Sequence, residues 1–285
     1  MFDFCADPSA LEGFDWFACY LTTAKHFSFY LSFLTVIGLI LMAVPLIMLF
    51  GFGGAFAKRS AFLPLRWVGQ VYTAMVRGIP DIVFFLFVPI AMDQALEWVR
   101  HKTLCSHVTE PIRQGNDFVV CDTAKLPLSA ADQWVHDVYG FILALLAYAI
   151  VFGAFAANVL DGALRAVPKG QLEAGQAVGM SRGQILWRVH LPQMWIYALP
   201  GLSNLWMILI KATPLLFLLG VEDIVYWARE LGGLKTGAFA YPHPDWRIWY
   251  FGALLIFYLF LTWISQRGFD RLIAHMSRGQ ARAGT

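Results

Sequence analysis

Charge is what this chain has least of. Of 285 residues only 14% are charged, while 59% are hydrophobic. Soluble domains carry about 25% charged residues, so too little polar cover is present for a water-soluble core of this size, and the solvent it implies is lipid. No tract of Lys or Arg occurs and the net charge is +2, so nothing points to nucleic acid as a partner. The opening Met1-Phe2-Asp3-Phe4-Cys5 lacks the basic start of a cleaved signal peptide. There is no Walker A sequence. Gly232-Gly233-Leu234-Lys235-Thr236 is a distant echo with no Gly directly before Lys235, so this chain is not expected to hydrolyse ATP. H-E-x-x-H is missing too, and the one G-x-S-x-G match, Gly179-Met180-Ser181-Arg182-Gly183, sits in a polar loop with no strand before it, which leaves an integral membrane enzyme with little support. C-x-x-C is absent, and His101 and His107 near Cys105 do not complete a ligand set, so no metal is expected.

What the chain does have is long uncharged runs. They predict spans at Phe29–Phe52, Ile82–Trp98, Val138–Leu160, Ile196–Val221 and Ile248–Gln266, the fourth broken only by Lys211. Each is near the ~20 residues a helix needs to cross hydrocarbon, and alternation is absent, so helices rather than barrel strands are expected. Leu63–Arg77 reads as an amphipathic helix on the membrane face. Gly78 and Pro80 then bend the chain into the second span. Lys and Arg concentrate after the first, third and fifth spans, which predicts those ends to be cytoplasmic and the N-terminus outside. On the outer side, Ser9-Ala10-Leu11-Glu12 reads as a capping box opening a short interfacial helix. The four cysteines, Cys5, Cys19, Cys105 and Cys121, also fall outside. They allow three connectivities. Cys105–Cys121 is favoured, with Cys5–Cys19 second and free thiols the alternative.

Between the third and fourth spans stands Glu173-Ala174-Gly175-Gln176-Ala177-Val178-Gly179, followed by Val189-His190-Leu191-Pro192. Pro168 suits a first helical turn and Gly179 a helix stop. Ser181-Arg182-Gly183-Gln184 reads as a capping box that opens a second short helix, which Pro192 is expected to end. Such a helix pair on the water side is a handle for a soluble partner. An interfacial hairpin without one is the bland alternative. Lys211 is costly in a span and should face a cavity or a counter-charge, snorkelling being the alternative. Asn204, seven residues earlier, shares its helical face.

The Glu173 loop resembles the EAA loop of ABC-importer permeases, with Gly175 for the second Ala and Val189 for Ile. Arg77-Gly78-Ile79-Pro80-Asp81, Tyr197–Trp206 with Ile210-Lys211-Ala212-Thr213 and Leu219–Val225, and Phe152–Pro168 resemble further segments of the polar amino-acid and opine (histidine-type) permeases. The chain departs from that pattern at Asn158, where many relatives carry Glu, and at Asp161, where many carry Arg. The resemblance implies an all-α integral membrane protein with five transmembrane helices on a MetI-like ABC importer permease core. It implies a periplasmic N-terminal segment (1–28), two spans with an interfacial helix (29–98), a periplasmic insertion (99–137), three spans (138–266) enclosing a cytoplasmic coupling loop (161–195), and a cytoplasmic tail (267–285). Glu173, Ala174, Gly179, Leu191 and Pro192 would form the ATPase-coupling loop. Asp81, Asn158, Asn204 and Lys211 would line the substrate path. The implied protein is no enzyme. It imports polar amino acids or opines across the bacterial inner membrane by alternating access, alongside ATPase subunits that bind ATP and Mg, a second permease (a paralogue or a second copy) and a periplasmic binding protein. A stand-alone secondary transporter or channel is the alternative. The internal repeats with paired broken helices that it would need are absent.

Overall fold

A computed structural model describes residue 5 and residues 7–107, 121–126, 130–219 and 221–277. Among the described residues the chain is helical, and five helices are long and apolar enough to cross a membrane. They are α2 (Ala24–Arg59), α4 (Asp81–Leu104), α5 (Gln133–Ala166), α8 (Leu191–Ala212) and α10 (Arg247–Met276), with α1 (Gly13–Leu21), α3 (Leu63–Gly78), α6 (Lys169–Ala177), α7 (Arg182–Ile185) and α9 (Ile224–Gly232) between them.

Helix α5 is the centre of the bundle, and small residues put it there. A Cβ on Gly51 of α2 would meet Ala156 Cβ at 2.9 Å, and one on Gly54 would meet Ala157 Cβ at 2.8 Å. From the other side, a Cβ on Gly153 would meet Phe50 Cβ at 2.5 Å and the Tyr72 hydroxyl at 2.8 Å. Without a hydrophobic drive between helices in lipid, such close approach supplies the packing energy. The interfacial helix α3 closes onto the same seam, with Tyr72 donating its hydroxyl to the Ile150 carbonyl at 2.6 Å. On the opposite flank α8 crosses α5 where a Cβ on Gly201 would lie 2.6 Å from Val159 Cγ1. Phe85, Tyr148 and Phe152 fill the interior, all fully buried. Gly153→Leu is therefore expected to destabilise the detergent-solubilised protein by about 3 kcal/mol or more, as overpacking against backbone-rooted atoms does. A thermal melt followed by near-UV circular dichroism reads the effect.

Several expected boundaries move. The second span runs past Trp98 to Leu104. The fourth begins earlier than Ile196 and leaves α-geometry at Thr213, where a 3-10 segment carries the chain on to Leu219. The Ser9–Glu12 box opens no helix. Glu12 is extended, with ψ 153° and no capping bond, and α1 starts at Gly13 with φ +58°. Leu11 is instead drawn into a small cluster around the disulfide Cys5–Cys19, with Tyr20 and Tyr241. Tertiary packing overrides the local cap there. The second disulfide joins Cys105, just past α4, to Cys121. Alternation of the five long helices puts both disulfides at one end of the bundle and α6–α7 at the other.

Candidate functional site: a coupling loop and a polar cleft

Helix α6 starts after Pro168 and is stopped by its own sequence. Gly179 adopts φ +79°, the left-handed conformation that a glycine takes without penalty. Its N–H bonds to the Gln176 carbonyl at 2.9 Å, and the next N–H, of Met180, reaches back to Gly175 at 3.0 Å. This is a Schellman stop, with Met180 against Gly175 as its apolar contact. The capping box follows at once. Ser181 Oγ accepts from the Gln184 N–H at 3.3 Å, and Gln184 Oε1 accepts from the Ser181 N–H at 2.8 Å. Ile185 of α7 is buried on Gly175, where a Cβ would stand 3.2 Å from Ile185 Cγ1. The Gly that breaks the E-A-A pattern is thus the floor on which α7 rests.

Pro192 does not end the second helix. Leu186–His190 form a π-turn, and the Leu191 N–H bonds back to the Leu186 carbonyl. Widening by one residue removes the need for the N–H that Pro192 lacks, so the chain passes from α7 into α8 without a break. His190 Nε2 donates to the Leu164 carbonyl at 2.8 Å, tying the turn to the end of α5. Leu191 and Leu172 pack on Leu160, Leu164 and Met194. Glu173, Ala174, Gly179 and Pro192 are exposed. Val178 and Trp187, which sequence reasoning did not single out, are 75% and 72% exposed beside them. A tryptophan in a polar loop was the available signal.

The second site is a cleft of about 580 Å³ between the inner ends of α2 and α5 and the middle of α8. Asn158 and Asn204 face it together, with Lys58, Asp161 and Arg165. Asp161 is nearly buried, and three cations converge on it: Lys58 at 3.2 Å, Arg59 at 3.8 Å and Arg165 at 3.0 Å. Asn158 accepts from Lys58 Nζ at 3.1 Å and donates to the Thr73 carbonyl at 3.1 Å. Asn158 and Asp161 thus serve one cationic cluster. Lys211 lies apart from the cleft, exposed in the last turn of α8, with no ion pair among the described residues. The side chain of Asp81 falls outside the described residues. Asp223 is a helix cap, its Oδ1 accepting from the N–H groups of Val225 and Tyr226 at 3.0 and 2.9 Å.

Residues 47–278 match the family described as binding-protein-dependent transport system inner membrane component. The arginine ABC transporter permease of Escherichia coli is 34% identical over 225 residues, covering 79% of this chain and 84% of that one. The histidine/lysine/arginine/ornithine transport system permease of Salmonella typhimurium is 32% identical over 226 residues, covering 79% and 82%. The nopaline transport system permease of Agrobacterium fabrum is 30% identical over 233 residues, covering 81% and 83%. The fold is that of a solved chain described as an amino acid ABC transporter with histidines, with TM-score 0.56 at 20% identity, covering 88% of this chain and 93% of that one.

Proposed function

This chain belongs to the family of binding-protein-dependent transport system inner membrane components, and on that premise we propose that it is the permease subunit of an ABC importer for polar amino acids or opines. The relatives that carry the family are permeases of arginine, histidine-group and opine systems. As a family member it is a multi-pass membrane protein and a transporter component rather than an enzyme. The orientation proposed is N-terminus periplasmic and C-terminus cytoplasmic. It is supported by the Lys and Arg that follow α2, α5 and α10.

The observation that carries the mechanism is the continuous path from α6–α7 through the π-turn into α8, whose middle forms one wall of the polar cleft. ATP and Mg bind on separate ATPase subunits, which dock on Glu173, Ala174 and the exposed Val178 and Trp187. Their closure shifts α6–α7, and α8 rocks against α5 at Gly201 and Val159, opening and closing the cleft to either side. A periplasmic binding protein delivers substrate, and a second permease subunit, a paralogue or a second copy, completes the path. Asn158 and Asn204 supply uncharged hydrogen-bonding groups to the moving solute. Lys211, nearer the outer side, and Asp81, at the inner start of α4, belong to the same path, Lys211 facing the neighbouring permease.

The test is assembly. Trp187→Glu places a charge in what would be a desolvated contact. It is expected to abolish co-purification of the ATPase while leaving the permease inserted at wild-type amounts. An ATPase retained in full on that variant, with ATP-driven uptake of arginine, histidine and octopine intact, rules out the docking face.

A further inference from the structure

At the disulfide end, the first turns of α2 and α10 and the short helix α1 enclose a second cavity, of about 470 Å³, that the import cycle does not use. Tyr20, His26, Phe29, Trp246, Trp249 and Tyr250 are among its walls. The side supplied by α1 and the start of α2 precedes residue 47, where the family match begins. The polar atoms of this lining are already spent on one another. His26 Nδ1 meets Thr23 Oγ1 at 2.9 Å and its Nε2 meets the Tyr250 hydroxyl at 2.7 Å. Tyr250 donates to Tyr20 at 3.3 Å. Tyr20 donates to the Leu231 carbonyl at 3.2 Å, and Tyr30 to the Leu21 carbonyl at 3.1 Å. A polar solute would find no unpaired hydroxyl or imidazole here and would lose its hydration for nothing.

Two donors remain. Among the described residues the indole N–H groups of Trp246 and Trp249 make no hydrogen bond, and Trp249 is 75% exposed at the start of α10. Trp at this depth is the membrane-interface signature, with the ring in the apolar layer and the N–H turned to the ester and headgroup region. Phe14 of α1 and Ile248 of α10 are exposed alongside. The occupant must therefore be apolar over most of its length and polar at one end. Size argues against a partner's helix. A helix about 10–12 Å across would use up this volume in roughly one turn, whereas a flexible methylene chain can thread it.

We propose that this cavity is a binding site for one acyl chain of an outer-leaflet phospholipid, held between α1, α2 and α10 with its ester group at Trp246 and Trp249. The lipid would complete the packing of α10, which buries only Leu254 among its own residues.

The test uses the complete importer in vesicles of phosphatidylethanolamine and phosphatidylglycerol, with a trace of phosphatidylcholine bearing a diazirine a few carbons below the ester of one acyl chain. After irradiation, peptide mapping should find label on residues 17–30 and 246–253 about tenfold above that on Leu259–Trp263 of the same helix. Ala253→Trp, which fills the cavity, should remove the first label and leave the second unchanged. Should that variant not assemble, Phe17→Ala, which widens the cavity, should raise the first label. Even labelling along α10, or cavity label indifferent to the variant that assembles, overturns the proposal. So does absence of cavity label together with disulfide trapping of Trp249→Cys to the second permease subunit, which would make the cavity a subunit contact.

Discussion

Replacing Gly179 by valine is expected to leave the protein inserted and assembled, yet to cut ATP-driven uptake about tenfold. The residue sits at φ +79°, where a side chain costs roughly 1–2 kcal/mol and a β-branched one more. A penalty of that size lowers the population of the correctly folded stop by about a factor of ten. The loss falls on the two hydrogen bonds that turn α6 back over Ile185, and hence on the shape offered to the ATPase rather than on the bundle. Gly179→Asn is the control, because asparagine tolerates the left-handed conformation, and it should recover most of the activity. Uptake and ATP hydrolysis measured together in proteoliposomes decide the matter. A valine variant that transports at the wild-type rate removes the loop from the coupling path.

The second large effect is expected at Asp161. Its carboxylate is 7% exposed and is the shared counter-ion of Lys58, Arg59 and Arg165. Removing one partner of a buried ionic cluster leaves the others uncompensated, at about 3–5 kcal/mol. Asp161→Ala should therefore lower the melting temperature of the purified complex sharply. Lys58→Met combined with Asp161→Leu removes both buried charges and should recover most of that stability. It should not recover transport, since Lys58 and Asp161 both line the cleft and Asn158 loses its lysine donor. A double variant that melts and transports like the wild type would show the cluster to be packing alone. One that stays as unstable as the single variant would show that the ion pair is not what holds α2 to α5.

The loop was legible in the sequence because its geometry is local. A glycine at a helix stop and Ser-x-x-Gln at a helix start act within a few residues, and Gly179 and Ser181 adopt the conformations their identities favour. The five spans were legible because lipid imposes length and composition. What escaped was everything that depends on distant neighbours. Pro192 reads as a terminator until the π-turn before it supplies a wider ring. Ser9–Glu12 satisfies the capping pattern, yet the chain around it is held by Cys5–Cys19 and the Tyr20–Tyr241 cluster. Asp161 could be marked as a departure from relatives, but its lysine partner stands 103 positions earlier (161 − 58), on another helix. Asn158 and Asn204 share a cleft only because Gly201 lets α8 close on Val159.

The unbroken passage from α7 into α8 makes the inner loop and a membrane span one mechanical member. From Arg182 to Ala212 the chain is helical without a break, a path of roughly 45 Å at 1.5 Å per residue. A flexible linker at Pro192 would absorb displacement as local bending. An unbroken helical path carries it onward, so a tilt of a few degrees at the α6–α7 end becomes a displacement at Lys211. The fulcrum is the close approach at Gly201, where a Cβ would lie 2.6 Å from Val159 Cγ1. A bulkier residue at position 201 would then change how far the distal arm swings and leave the force delivered at the loop unaltered.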